Sequence, residues 1–458
     1  MATLIHRDQG LCESLLNHFR NSILTVWYPR VIDRESGGYF SDLGFDWRIA
    51  AAQPKMIVTQ AHHVWTTARA AAFFGNDEEL AGYARHGADF IRDVMWDRTY
   101  GGFYQIRDRD GKRTGTGGWN DEKRLHGNAS AILALAALYK HTGDAADLAL
   151  AQDGFQWIED HAYDAARDGY VQFLTREGIP FGKDGPHRSA APDADVAGCR
   201  DADSTMHLLG AYTELYAAWQ DSTLRERLLG LLRLVRDRMV TEKGYLRLFF
   251  SPALEHISFH DAPREDRLDN YPVDHVSFGH DYEAAFLMLE ASYALGIEND
   301  ARTLSIAKRM LEHAIMNGWD QENGGFVEGG LYLDGPDLCT ILRPAKRWWA
   351  QAEALNILLI FSSIFPHDNT YHDLFMRQWE YIDGYLIDHR HGDWFEGGLD
   401  REPHAATAPK GTIWKSTYHT GKALMNCIAL LSDDAVASPG ILAHRATMER
   451  MINHWKRT

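Results

Sequence analysis

One short pattern recurs along this 458-residue chain and constrains its fold more than any other feature. An Asp, a few polar residues, one or two Gly and then an aromatic run from Asp33 to Tyr39, Asp97 to Phe103, Asp164 to Tyr170, Asp320 to Phe326 and Asp388 to Trp394. In these five copies the aromatic falls six residues after the Asp. A sixth, Lys243-Gly244-Tyr245, keeps the glycine and the aromatic but has Met239 at the Asp position. Successive aromatics are 64, 67, 75, 81 and 68 residues apart, a period that fits one helical hairpin plus a long connecting loop. The glycines permit a tight turn with positive φ, and the aromatic then closes the loop over a core.

Helical segments flank every copy. Those before a loop are amphipathic: Leu11–Tyr28, Glu79–Met95, Ala145–His161, Leu224–Val240, Ala301–Asn317 and Asp373–Asp388. Those after it are richer in small and apolar residues: Val58–Phe74, Gly127–Tyr139, Met206–Trp219, Asp281–Leu295, Trp349–Phe361 and Thr420–Leu431. A helix with a polar stripe faces water, and one apolar on most faces is buried. The pattern therefore predicts an all-α (α/α)6 barrel, six outer helices around six inner ones, with Ser438–Trp455 as an extra C-terminal helix. No linker or low-complexity stretch divides the chain, so residues 1–458 are expected to form a single domain.

Composition narrows the function. The net charge of −17 argues against nucleic-acid or anionic-membrane partners and for a neutral substrate. Cys12, Cys199, Cys339 and Cys427 have no paired spacing and read as reduced thiols of a cytoplasmic protein. Met1 to Gly10 is polar and has no signal-peptide core, and the greasiest run, Ile357–Phe365, is too short to span a bilayer. Neither a Gly-x-Ser-x-Gly elbow nor a P-loop is present.

Each inner segment is apolar in its middle yet opens on polar or ionisable residues: His62 and His63; His126 and Asn128; Asp203 and His207; His280 and Glu283; Glu353 behind Trp348 and Trp349; Lys415 and His419. If the inner helices run parallel, these starts converge on one mouth, where buried ionisable groups must be paired or used. His280 and Glu283 share a helix face, and a carboxylate beside an imidazole orients it and raises its basicity. Trp348, Trp349 and Trp414 suit either a sugar ring or core packing. With no His-Glu-x-x-His and no Cys cluster, neither a metal nor a cofactor is expected.

Three stretches then resemble a known family. They are Phe278-Gly279-His280-Asp281-Tyr282-Glu283-Ala284, the run from Lys346 to Ala354, and the run from Trp414 to Ala423. Together they are similar to the N-acylglucosamine 2-epimerase superfamily, whose fold is an (α/α)6 barrel. The resemblance implies His280 and His419 as an acid/base pair, with Glu283 supporting His280. It further implies that His207 contacts substrate, that Glu353 binds the ring-opening or hydroxyl end of a sugar, and that Trp349 and Trp414 shape the pocket. The chain departs from the family at four places. His62 stands seven residues after Lys55 where an Arg is usual, His126 where a Tyr is usual, Asp203 for an Asn and Gly210 for a Glu. An imidazole cannot reproduce the bidentate contacts of an Arg.

The expectation is a sugar isomerase or 2-epimerase acting on a free aldose or ketose. A small carbohydrate is its substrate, and the protein is a monomer or homodimer. One alternative is a glycoside hydrolase or lyase using paired carboxylates, Asp203 with Glu283 or Glu353. Another is a non-catalytic sugar-binding protein.

Overall fold

In the computed structural model, which describes residues 9–113, 121–182, 198–335, 338–434 and 437–458, the polypeptide is dominantly helical and its strands are two to four residues long. The expectation for Met1 to Gly10 falls mostly outside the described residues.

The inner helices are Ile57–Phe73, Leu125–Thr142, Ala202–Ala218, Phe278–Ala294, Trp348–Ile364 and Tyr418–Leu431. Each packs on the next, and the sixth packs on the first, so the ring closes. Burial follows composition. In the fifth inner helix every residue except Trp349 and Ser362 is buried. The outer helices are Gln9–Asn17, Glu78–Phe90, Ala145–His161, Ser222–Leu234, Ala301–Gly318 and Asn369–Tyr381, with one stripe inward and a polar face to water. Four of them run on into wider π-helical turns, His18–Leu24, Ile91–Met95, Val235–Met239 and Ile382–Leu386. The second to sixth outer helices all begin on an Asp, residues 77, 144, 221, 300 and 368, whose side chain accepts from first-turn amides. This stops each inner helix and starts the next outer one, and it is a second repeat signal that the loop motif overshadows in the sequence.

The loop copies fold alike. Asp33 accepts from the amides of Glu35 and Ser36, and its carboxylate takes Lys55 Nζ at 2.9 Å with both side chains fully buried. Gly38 has φ +65°, and a Cβ there would lie 2.5 Å from Gln60 Oε1, so only glycine fits. The Tyr39 amide donates to Gln60 Oε1 at 2.7 Å, as Phe103 does to Asn128 and Phe326 to Gln351. Inner-helix side chains thus hold the preceding loop. Short antiparallel pairs such as Lys55–Met56 with Ile106–Arg107 tie each helix start to the next loop.

Two expectations need correction. In the sixth copy of the motif, Leu246 and not Tyr245 fills the aromatic position: its amide donates to Asp281 Oδ1 at 2.8 Å, and it bridges Val240 as Tyr39 bridges Ile32. This loop is one residue shorter, which puts Thr241, not Met239, where the other copies have Asp. The inner helices also begin earlier than periodicity predicts. His126, Asp203, His280 and His419 therefore lie within first turns.

The buried apolar residues form one connected cluster from Leu11 to Trp455. The C-terminal helix Pro439–Lys456 packs across the far ends of the inner helices. Among the described residues, no helix is long and apolar enough to cross a membrane.

Candidate active site

The parallel inner helices bring their first turns to one end of the ring, and the sequence-singled histidines meet there in two groups. The first gathers around Asp203. Its Oδ1 lies 3.2 Å from His207 Nε2 and 3.6 Å from His280 Nε2, and its Oδ2 lies 3.4 Å from His126 Nδ1. The His126 and His207 rings stack in parallel with centroids 4.3 Å apart. The histidines around it hold the Asp203 carboxyl well below the usual carboxylate range, although its burial acts the other way.

His280 Nδ1 is 2.6 Å from Ser277 Oγ. Burial opposes its charged form, but Asp203 outweighs that, aided by Glu283 and Asp201, and lifts the imidazole above its ordinary value. The carboxylate facing His280 is therefore Asp203 from the third inner helix. Glu283, expected beside it, instead meets the second group.

That second group is built on His419. Its Nδ1 is 2.6 Å from Glu353 Oε1 and 3.7 Å from Glu283 Oε1. Lys422, one helical turn on, lies 2.8 Å from Glu353 and 3.6 Å from Glu283. Burial disfavours both the Glu283 carboxylate and the Lys422 ammonium. The mutual attraction wins, so Glu283 stays below its ordinary value and Lys422 well above. Glu353 Oε1 thus meets both His419 and Lys422. Trp349 joins the groups, with its ring 4.9 Å from that of His280 and 5.7 Å from that of His419.

His62 is buried 6.0 Å from the His419 ring and stacks on Tyr418 at 4.3 Å. Burial, then the neighbouring imidazoles of His419, His126 and His207, holds it well below its ordinary value, so it is neutral near pH 7. Trp414 lies on the loop before the sixth inner helix and is 46 % exposed. Of the other candidates, His63 bonds Tyr28, Asn128 caps a loop, Lys415 pairs with Asp393, and Trp348 lies in the core.

Lys422, Ser277 and Tyr418 were missed by sequence reasoning. Lys422 lies inside one of the quoted stretches, and its spacing of three from His419 was the available signal. A cavity of about 660 Å³ lies at the opposite end of the ring under the C-terminal helix, with Tyr418 and Lys422 in its wall. The clustered imidazoles and carboxylates, not that cavity, mark the chemistry.

A helical barrel whose mouth holds two carboxylate-backed histidines beside a Trp has the makings of a carbohydrate-active isomerase. The N-acylglucosamine 2-epimerase (GlcNAc 2-epimerase) family model matches residues 38–423. The cellobiose 2-epimerase of Bacteroides fragilis is 27 % identical over 438 residues, covering 93 % of this chain and 100 % of that protein. The D-mannose isomerase of Thermobifida fusca is 23 % identical, covering 86 % and 90 %. The solved cellobiose 2-epimerase from Bacillus thermoamylovorans superposes with a TM-score of 0.78 at 22 % identity, covering 92 % of this chain and 99 % of that one, a likeness of fold. The chain belongs to the N-acylglucosamine 2-epimerase family. It is a carbohydrate epimerase or isomerase with the (α/α)6 fold.

Proposed function

We propose that the chain moves a proton at C2 of a free aldose or ketose, of the cellobiose or mannose type its relatives' names indicate, with His280 and His419 as the acid/base pair. One observation carries this reading: two imidazoles with separate orienting partners flank one indole. His419 Nδ1–H donates to Glu353, which leaves the Nε2 lone pair free to accept a proton. Asp203 favours the protonated form of His280, so it is suited to give one.

Ring opening exposes the aldehyde. One histidine takes the C2 proton, and an enediolate forms with its charge on the former carbonyl oxygen. Protonation at C1 yields the ketose; protonation at the other face of C2 yields the epimer. His62 serves the oxyanion as a neutral N–H donor, while Trp349 and Trp414 offer aromatic faces to the sugar and His126 and His207 line the mouth. The hydrolase alternative fits less well. Glu283 and Glu353 share Lys422, and Asp203 faces three imidazoles, so none of the three carboxylates that reading would use stands free of a cation or a histidine.

The free, buried thiols of Cys12, Cys339 and Cys427 support a place in the reducing cytoplasm, and we read the protein as a monomer or homodimer. Incubation with cellobiose, mannose, glucose and fructose in D2O, read by NMR, tests the reaction. Deuterium at C2 of a product aldose, or at C1 of a product ketose, is expected. Turnover of every accepted sugar without any such exchange, or hydrolysis of cellobiose, would sink the proposal.

A further inference from the structure

We propose that the mouth of the barrel also holds a binding site for one divalent transition-metal ion of the Zn²⁺ class, made by His126, Asp203 and His207 with His280 as a fourth ligand. Two histidines and a carboxylate are a ligand set that suits such ions. With metal–ligand bonds of about 2.1 Å, tetrahedral ligands lie about 3.4 Å apart. Asp203 Oδ1 lies 3.2 Å from His207 Nε2 and 3.6 Å from His280 Nε2, and its second oxygen lies 3.4 Å from His126 Nδ1. One ligand atom from each of His126, Asp203 and His207 lies within 4.8 Å of the others.

The side chains are also free to serve. His126 and His207 are only 15 % and 12 % exposed, and buried His126 Nε2 has no hydrogen-bond partner among the described residues. Because the two rings lie parallel, one must turn about its Cβ–Cγ bond before both lone pairs converge on an ion. The other comparable group, Glu283, Glu353 and His419, carries its own cation. Lys422 sits 2.8 and 3.6 Å from its carboxylates and takes the place an ion would fill. Among the described residues the ion pairs of Asp203 are all with histidines, imidazoles that can lose a proton to a metal.

Binding itself does not depend on the proposed reaction. Its consequence does, because a coordinated His280 nitrogen has no lone pair left to take a proton. On that reading the ion is an inhibitor, and the metal-free protein is the active one.

The test uses the full-length protein stripped with EDTA and titrated with ZnCl2 by calorimetry and with CoCl2 by visible absorption. One Zn²⁺ per chain is expected, together with the d–d bands of a Co²⁺ ion bound by nitrogen and oxygen at low coordination number. Asp203→Asn and His126→Tyr should each weaken Zn²⁺ binding by at least about 10-fold, while His419→Gln keeps it. The Co²⁺ spectrum of the wild type stands even if a variant fails to fold. No uptake of Zn²⁺ by the wild type, or uptake unchanged in both Asp203→Asn and His126→Tyr, overturns the site. Zn²⁺-loaded protein that turns sugar over as fast as the stripped protein removes His280 from the ligand set. A sugar reaction that fails altogether, with the titration intact, overturns only the catalytic reading.

Discussion

His280 and His419 approach Trp349 from neighbouring helices and differ in what stands behind them, a hydroxyl and Asp203 for one and Glu353 for the other. If they are the proton-transfer pair, His280→Ala and His419→Ala each lower kcat by on the order of 10²–10⁴, the worth of a positioned acid or base. Steady-state kinetics beside an unchanged circular dichroism spectrum checks this, and near wild-type turnover in either variant removes that residue from the pair. His62 tests the departure from the family. Its neutral ring stacks on Tyr418 with Ser416 Oγ 3.4 Å from Nδ1, leaving little room for a longer side chain. His62→Ala should cost about 1–3 kcal/mol in kcat/KM, the range for losing a hydrogen bond to a buried polar group. His62→Arg should weaken the native reaction too, and values unchanged in both place His62 outside the site. Much of this mouth was legible, because polar residues opening apolar helices had to converge. The partners were not. Spacing along one helix suggested Glu283 for His280, whereas Asp203 arrives from another helix, and no helical period reports such a contact.

The hairpin is the element on which the fold rests, and its legibility was uneven for a physical reason. Five loops announced themselves because a buried Asp, a glycine turn and an aromatic must each be the residue they are. The fourth loop along the chain was read one residue out of register because it has lost the Asp, and Tyr245 drew the alignment away from Leu246. Its inner helix shows what was lost with it. Lys55, Lys123, Arg200 and Lys346 stand two residues before their helices, each paired with a loop Asp. Here that position is Val276, and the Asp position of the loop is Thr241. Acid and base have gone together, as desolvation requires, since one buried charge without its partner costs far more than neither. Lys55→Val alone should therefore destabilise by about 1–3 kcal/mol, because Asp33 stays buried with only Arg109 left to pair it. The double variant Asp33→Thr with Lys55→Val should lose less than Lys55→Val. Denaturant unfolding of the wild type, both single variants and the double variant decides, and additive losses would show that the pair acts independently.

Across the whole molecule the core is one connected cluster, so we read the chain as a single domain that unfolds in one cooperative transition. Its acid limit follows from histidines outside the proposed proton-transfer pair. Burial lowers His63 and His444 to about 3 and His18, His275 and His313 to about 4. Neutral bonds fit that state: His18 Nε2 accepts from Trp394 Nε1–H at 2.8 Å, and His444 Nε2 meets Asn426 Oδ1 at 2.7 Å. Unfolded, each titrates near 6.5, so below that value the unfolded chain binds protons the native one refuses. Their stabilisation is complete above pH 6.5 and falls away as the pH drops toward their folded values, by up to about 1.4 kcal/mol per histidine per pH unit. His280, Asp201, Glu290 and Asp281 act in the opposite sense, since their raised values favour the native state as protons are added, and they offset part of this loss. The melting temperature should hold level from pH 8 to 7 and then fall by several degrees by pH 5, before most carboxylates titrate. Calorimetry across that range gives the answer. A melting temperature flat to pH 5 would mean that these imidazoles reach water or find partners on protonation, and two separated transitions would divide the core that the helices share.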